Sequence, residues 1–277
     1  GTPMEVGFLE KGTNYVTKKG YSIDPDKIDA ALWIGYPGES GTPAVGKIIN
    51  GSVNPSGRTA DTYSVDFKED PTWFNFGDNR ITANKNKGII GGDQYVFDVP
   101  ENEQPEVPYY FVSYEEGIYV GYRYYETRGK DDADWYANHV VYPFGYGLSY
   151  TNFEWTLQDA SEIKDAAIEK DHTYNIQVNI KNTGETAGKD VVEIYGHAPY
   201  TKGGIEKAEE QLLAYGKTDL LEPGEEQTLT LEINPYYLAS FDYKDKNNNG
   251  FTTFELDKGN GYELYVAHNA HDHEFSI

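Results

Sequence analysis

The chain has 277 residues, and its 46 acidic against 23 basic side chains give a formal net charge of −23. Such a field repels nucleic acid and anionic membrane surfaces, and the lack of any Cys excludes disulfides, thiolate catalysis and Cys-based metal sites. The 25 Tyr and 12 Phe are too many for a disordered chain, so it reads as globular, and this aromatic, acidic make-up suits a neutral ligand such as a sugar.

The amino terminus, Gly1-Thr2-Pro3-Met4, lacks the basic start and apolar core of a signal peptide. Met4 is the only Met, so the sequence is expected to open inside a longer natural chain. Absence of Cys suits an anaerobic or exported bacterial protein, and leaves cytoplasm and export equally open. No run approaches the roughly 20 apolar residues of a membrane span.

Residues 1–80 contain one α/β unit. Residues 30–34 (Ala-Ala-Leu-Trp-Ile) form a continuous apolar run, the pattern of a strand covered on both faces. After a loop at 35–41, Thr42 is a good helix N-cap, Pro43 suits a first turn, Ala44, Val45, Ile48 and Ile49 share one face, and Gly51 can end the helix. Asn54-Pro55-Ser56-Gly57 is a turn by each local signal. A second apolar strand candidate lies at 4–9. A parallel strand needs parallel neighbours and helices on both faces, so this sheet reads as truncated.

Residues 81–150 are irregular: 81–108 mix Gly, Asn, Lys, Asp and Pro as a long excursion, and 114–126 is dense enough in aromatic and β-branched residues to predict strand in part. Residues 151–277 read as all-β. Tyr174, Ile176, Val178 and Ile180 alternate with polar residues, as do Leu229, Leu231 and Ile233, and 191–195 and 262–266 add further strands. Short strands at this spacing suggest an immunoglobulin-like or fibronectin-like sandwich. The expected class is therefore α+β: a partial α/β portion followed by a β-sandwich.

Four groups of motifs in this order resemble family 3 glycoside hydrolases, in register over nearly the whole chain. Trp33-Ile34-Gly35-Tyr36-Pro37-Gly38-Glu39 through Asn54-Pro55-Ser56-Gly57-Arg58 resembles the closing part of the family's α/β-sandwich domain. Glu116-Gly117-Ile118-Tyr119-Val120-Gly121-Tyr122-Arg123-Tyr124-Tyr125 is similar to a segment of its β-glucosidases. Pro143-Phe144-Gly145-Tyr146-Gly147-Leu148-Ser149-Tyr150-Thr151 resembles its domain junction. Asn182-Thr183-Gly184, Gly188-Lys189-Asp190-Val191-Val192 and Leu221-Glu222-Pro223-Gly224 resemble its fibronectin type III-like domain. The boundaries implied are 1–80 for the end of the α/β-sandwich domain, 81–150 for the excursion and junction, and 151–277 for the fibronectin-like domain.

The resemblance implies retaining hydrolysis by two carboxylates about 5–5.5 Å apart. One is an Asp nucleophile in a TIM barrel, the other a Glu acid/base in the α/β-sandwich domain, upstream of residues 30–34. Neither has a counterpart in this sequence, so no catalytic residue is assigned and the chain by itself is expected not to hydrolyse a glycoside. Pro3-Met4-Glu5-Val6-Gly7-Phe8-Leu9 is similar to members in which the barrel follows the fibronectin-like domain. The implied partners are the remaining domains of the same hydrolase, namely a TIM barrel and the rest of the α/β sandwich, and a neutral β-glucoside or oligosaccharide. No cofactor, nucleic acid or membrane is implied. The alternative is a stand-alone carbohydrate-binding or cell-surface module.

Glu39, Trp73 and Arg123 are candidates for substrate contact. Glu39 reads more plainly as a solvated acid near a helix N-terminus, Trp73 with Phe74 and Phe76 as packing, and Arg123 as a strand residue bracing the junction. Arg58 reads as one half of a structural ion pair. Pro143, Phe144, Gly145, Gly147 and Tyr150 are the expected structural junction, rigid at Pro143 and permissive at the glycines, with Tyr146 packed beside them. His268, His271 and His273 lack the spacing of a metal site. Asp245, Asn247, Asn249 and Gly250 begin like a calcium loop, but its twelfth position is Leu256, so a polar hairpin loop is expected and no metal is assigned. Ser149 does not lie in a nucleophile elbow.

Overall fold

The computed structural model describes residues 6–9, 15–16, 20–73, 87–90, 95–98, 114, 116–164, 168–257 and 261–277. Residues 7–9 form a short 3-10 turn rather than the strand expected at 4–9, with Val6 and Gly7 buried. A Cβ on Gly7 would lie 2.7 Å from the Val65 carbonyl oxygen, so this close approach admits only glycine. β1 (Tyr15–Val16) and β2 (Ser22–Ile23) make a two-residue antiparallel ladder.

The strand expected at 30–34 does not form: residues 28–37 have no regular structure, and Leu32, Trp33 and Ile34 are 43%, 51% and 48% exposed. A strand of the fully buried type gains nothing without a sheet to enter, and each pairing among the described residues is antiparallel and lies elsewhere. α1 spans Gly38–Ile49, one turn earlier than the Thr42 cap predicts, so Pro43 sits inside it and Pro37 precedes it with no side-chain capping bond. The apolar face read from the sequence is present, yet no residue of α1 is buried. Gly51, at φ +77°, follows the C-terminus as expected.

Within the expected excursion, β4 (Lys87–Ile90) and β5 (Tyr95–Asp98) pair as a hairpin. The strand predicted within 114–126 is instead a turn at 116–118 followed by α2 (Tyr122–Gly129), which Gly121 opens at φ +58°. Tertiary packing outweighs the β propensity of this stretch: Tyr125 and Glu126, adjacent in sequence, are both buried, and Tyr125 packs with α3 (Ala133–His139) through Tyr136 and Trp135. β6 (Val140–Tyr142) then pairs with β3 (Tyr63–Ser64), tying the helices back to the first segment.

The period-2 pattern of the C-terminal half builds two antiparallel sheets. One has the order β11-β8-β7, from β7 (Phe153–Asp159), β8 (Tyr174–Asn182) and β11 (Glu226–Ile233). The other has the order β10-β9-β14-β15, from β9 (Val191–His197), β10 (Gln211–Lys217), β14 (Glu263–Ala267) and β15 (His273–Ser276). Their inner faces meet in one core containing Ile176, Val178, Ile180, Val192, Ile194 and Val266, each fully shielded from solvent. Between β11 and β14 the chain makes an excursion carrying the hairpin β12 (Ser240–Asp242) and β13 (Thr253–Glu255). The chain is thus α+β, a partial α/β portion followed by a fibronectin-like sandwich. No described helix is long and apolar enough to cross a membrane.

Candidate functional site

The stretch 143–151 wedges between residues 54–59 and the sandwich. Thr59 N–H donates to Tyr146 O at 2.8 Å, Gly145 N–H to Thr59 O at 2.9 Å, and Tyr146 N–H to Thr59 Oγ1 at 2.9 Å. Thr59 Oγ1 in turn donates to Pro143 O at 2.6 Å. Asn54 Oδ1 accepts from Tyr150 N–H at 2.7 Å and from Ser149 Oγ at 3.1 Å, while its amide donates to Ala187 O of the sandwich. Tyr150 also reaches α1, its hydroxyl donating to Ile48 O at 3.1 Å. Phe144 O accepts from Ala270 N–H, and the Phe144 ring stands 4.9 Å from that of Tyr122 on α2.

Two glycines make these approaches possible. A Cβ on Gly147 would collide with the Gly57 carbonyl oxygen and crowd the Arg58 side chain, and one on Gly145, at φ +87°, would collide with the Glu193 carboxylate. Gly147→Ala is therefore expected to cost about 1–3 kcal/mol, because the opposing atom is backbone and cannot swing aside. Urea denaturation checks this, and a variant as stable as the parent would show that the two loops can separate freely.

Buried charge sits directly behind this turn. Arg58 Nη2 lies 2.6 Å from Asp190 Oδ1, with both side chains largely buried, as the sequence reading of an ion pair requires. Asp190 is fully engaged: Val191 N–H donates to Oδ1 at 2.9 Å and Trp155 Nε1 to Oδ2 at 2.8 Å. Its own N–H donates to Thr218 Oγ1. Glu193 accepts from the Tyr195 hydroxyl at 2.6 Å. Burial pushes its carboxyl up to about 7, against the lowering effects of Tyr195 and Arg58.

A second buried carboxylate, Glu126 on α2, accepts from Tyr136 OH at 2.6 Å and pairs with His271 Nδ1 at 2.9 Å. The His271 ring stacks on Tyr136 at 3.9 Å, and the Glu126 hydrogen bond raises its pKa although burial opposes this. Glu210 pairs with His273 at 3.3 Å, its other oxygen has no hydrogen-bond partner, and burial raises its pKa. The three histidines weighed as metal ligands thus go to three different carboxylates, His268 to Glu274 at 3.2 Å. No metal-binding group of three acidic or His side chains occurs among the described residues.

The three candidate substrate residues are not brought together. Glu39 is exposed in the first turn of α1. Trp73 is half exposed, and Phe74 and Phe76 lie outside the described residues. Arg123 is on a helix rather than a strand, and its Nε donates to Gln211 Oε1 on β10 at 2.9 Å with the guanidinium 5.7 Å from the Tyr122 ring. It braces α2 against the sandwich. Ser149 is occupied structurally, its Oγ donating to Asn54 and accepting from Thr151 N–H. Sequence reasoning missed Glu126, Glu193 and Glu210 entirely. A lone acid in the otherwise apolar run Val191-Val192-Glu193-Ile194-Tyr195 was the available signal for one of them.

The family sequence model described as Glycosyl hydrolase family 3 C-terminal domain matches residues 6–122, and that of the Fibronectin type III-like domain matches residues 190–270. The chain belongs to glycoside hydrolase family 3. Among family 3 relatives it is 33% identical over 245 residues, 88% of its length, to a beta-glucosidase of Ruminococcus albus, and spans 21% of that protein. It is 30% identical over 80% of its length to thermostable beta-glucosidase B of Acetivibrio thermocellus, spanning 24% of it. Two solved structures share the fold. The beta-glucosidase of Paenibacillus barengoltzii gives a TM-score of 0.64 at 31% identity, with 86% of this chain and 21% of that one covered. Beta-glucosidase 3B of Thermotoga neapolitana gives 0.60 at 32%, with 87% and 26% covered. The chain corresponds to a C-terminal part of these proteins. Its described residues hold no parallel strand pair from which a TIM barrel could be built.

Proposed function

We propose that this chain is the non-catalytic C-terminal portion of a retaining β-glucosidase-like hydrolase, in which it completes the α/β-sandwich domain and holds it against the fibronectin-like domain. Its partners are the TIM barrel and the remainder of the α/β sandwich, and the substrate of the assembled enzyme is a neutral β-glucoside or oligosaccharide. One observation carries the reading. The apolar run at 30–34 is exposed and no residue of the apolar face of α1 is buried, while 54–59 just beyond them are locked to the sandwich through 143–151. That is the arrangement of a segment whose apolar partners are missing on one side while its other side is anchored to the sandwich.

The test is recombination. The chain alone is expected to leave an aryl β-glucoside intact, and mixing it with separately produced remaining domains of a family 3 β-glucosidase is expected to restore hydrolysis. Hydrolysis by the chain alone, or no gain on mixing, would overturn the reading. The carboxylates at the junction do not stand in for the missing pair: each is committed to a Tyr, His or Arg partner inside the fold. Glu39, Trp73 and Arg123 remain proposed contacts at the rim of the assembled pocket.

A further inference from the structure

The β12–β13 hairpin between β11 and β14 carries its aromatic rings on the outside. Phe241 and Phe254 are cross-strand partners in β12 and β13, so they share one face of the hairpin. They are 43% and 51% exposed, while the neighbouring position Asp242 is buried. An ordinary hairpin on a sandwich turns its apolar face inward; this one buries Asp242 and leaves its rings outward. Tyr236, 55% exposed on the preceding 3-10 turn, extends the patch, with ring centroids 5.3 Å from Phe254 and Phe254 5.0 Å from Phe241. A connection of this length is of the kind often kept for function, and its described residues give the sandwich core Leu238, with Leu256 and Tyr262 packed partly against it.

A network of side-chain hydrogen bonds ties the loop between the two strands that carry the rings. Asp242 accepts from the N–H groups of Lys244 and Asn247. Asp245, at φ +49°, accepts from those of Asn249 and Gly250, and the amides of Asn247 and Asn249 both donate to Glu255. Beside Phe241 opens a hollow of about 40 Å³, rimmed by Glu206, Lys244 and Lys246. It has room for about one water-sized group and offers both donors and acceptors to it.

The occupant follows from this chemistry. Lys244 and Lys246 stand among Glu206, Asp242, Asp245 and Glu255, so acids outnumber bases here and this surface, like the chain's overall −23, repels polyanions. What fits is an uncharged ligand with apolar faces to lie on rings and hydroxyls to enter a small polar hollow. We propose that Tyr236, Phe241 and Phe254 form a binding site for a neutral polysaccharide on this chain. The proposal stands whether or not recombination restores hydrolysis, because it concerns retention of polymer by this chain alone.

Affinity electrophoresis of the 277-residue chain through gels containing soluble mixed-linkage β-glucan, galactomannan or arabinoxylan tests it. The expected result is retardation by at least one of the three polymers. Phe254→Ala and the milder Tyr236→Ser are each expected to weaken it about tenfold, corresponding to about 1.4 kcal/mol of lost contact. Unchanged near-ultraviolet circular dichroism and urea midpoint identify variants that keep the fold, and the exposed Tyr236 supplies one even if Phe254→Ala perturbs the hairpin. Retardation by none of the polymers overturns the proposal, as does equal retardation of folded variants. Absence of retardation together with loss of domain recombination in the same variants overturns it in favour of a protein surface covering the rings.

Discussion

Replacing Arg58 with Met is expected to lower stability by about 3–5 kcal/mol in urea unfolding at neutral pH. The cost does not come from the lost attraction alone. Asp190, its side chain only 6% exposed, would be left largely buried with its carboxylate uncompensated where the guanidinium stood 2.6 Å away. Its other two partners, Trp155 Nε1 and Val191 N–H, are neutral and satisfy its geometry without balancing its charge. The double variant Arg58→Met with Asp190→Asn is accordingly expected to recover much of the loss, since no unpaired buried charge remains. A single variant within about 1 kcal/mol of the parent would mean that the pair is solvated and weak. A double variant no better than the single would show that Arg58 acts through packing. Because residues 54–59 reach the sandwich through this pair and through the turn at 143–147, the single variant should also impair recombination with the missing domains.

The sandwich was legible in the sequence because alternation is a local code. Tyr174, Ile176, Val178 and Ile180 fall on one face by count alone, and each is buried against the opposite sheet. The hairpin loop at 245–250 was legible for the same reason, its Asx residues bonding to backbone a few positions away. Residues 30–34 misled because their pattern is written for a parallel sheet, and no parallel strand occurs among the described residues. Local propensity specifies a strand but does not supply its neighbours. Residues 122–129 misled in the opposite direction. Their Tyr-rich composition favours a strand, yet Gly121 and the burial of Tyr125 beside Trp135 and Tyr136 select a helix. The buried carboxylates Glu126, Glu193 and Glu210 could not be ranked among 46 acids, because what distinguishes them is desolvation by residues distant in sequence. The turn at 143–151 was recognisable as a motif, but its reason is visible only in three dimensions: Gly145 and Gly147 leave room for a carboxylate and a carbonyl from two other segments.

Stability is expected to fall as pH rises from about 5 to about 8, the reverse of what an ordinary surface carboxylate would give. Glu193 titrates near 7 when folded and near 4.5 when exposed, so the folded state binds its proton more tightly. The stabilisation from the neutral acid is fully present below the unfolded value and disappears as pH climbs through the folded one. At 1.36 kcal/mol per pKa unit this amounts to a loss on the order of 3 kcal/mol. Glu210, raised by burial, and His271, raised by Glu126, act with the same sign: each binds its proton more tightly in the folded chain. Glu193→Gln separates the contributions. Gln mimics the protonated acid, can still accept from Tyr195, and cannot ionise beside the Gly145 backbone. The variant should match the parent at pH 5 and exceed it at pH 8, where the parent forces a charge into the junction. His271→Ala should leave that difference between Gln and Glu intact, because its titration belongs to the Glu126 pair. Urea midpoints of all three proteins measured from pH 5 to 8.5 decide the matter. Parallel curves for parent and Glu193→Gln would show that water reaches Glu193 and that the junction opens on its Gly145 side.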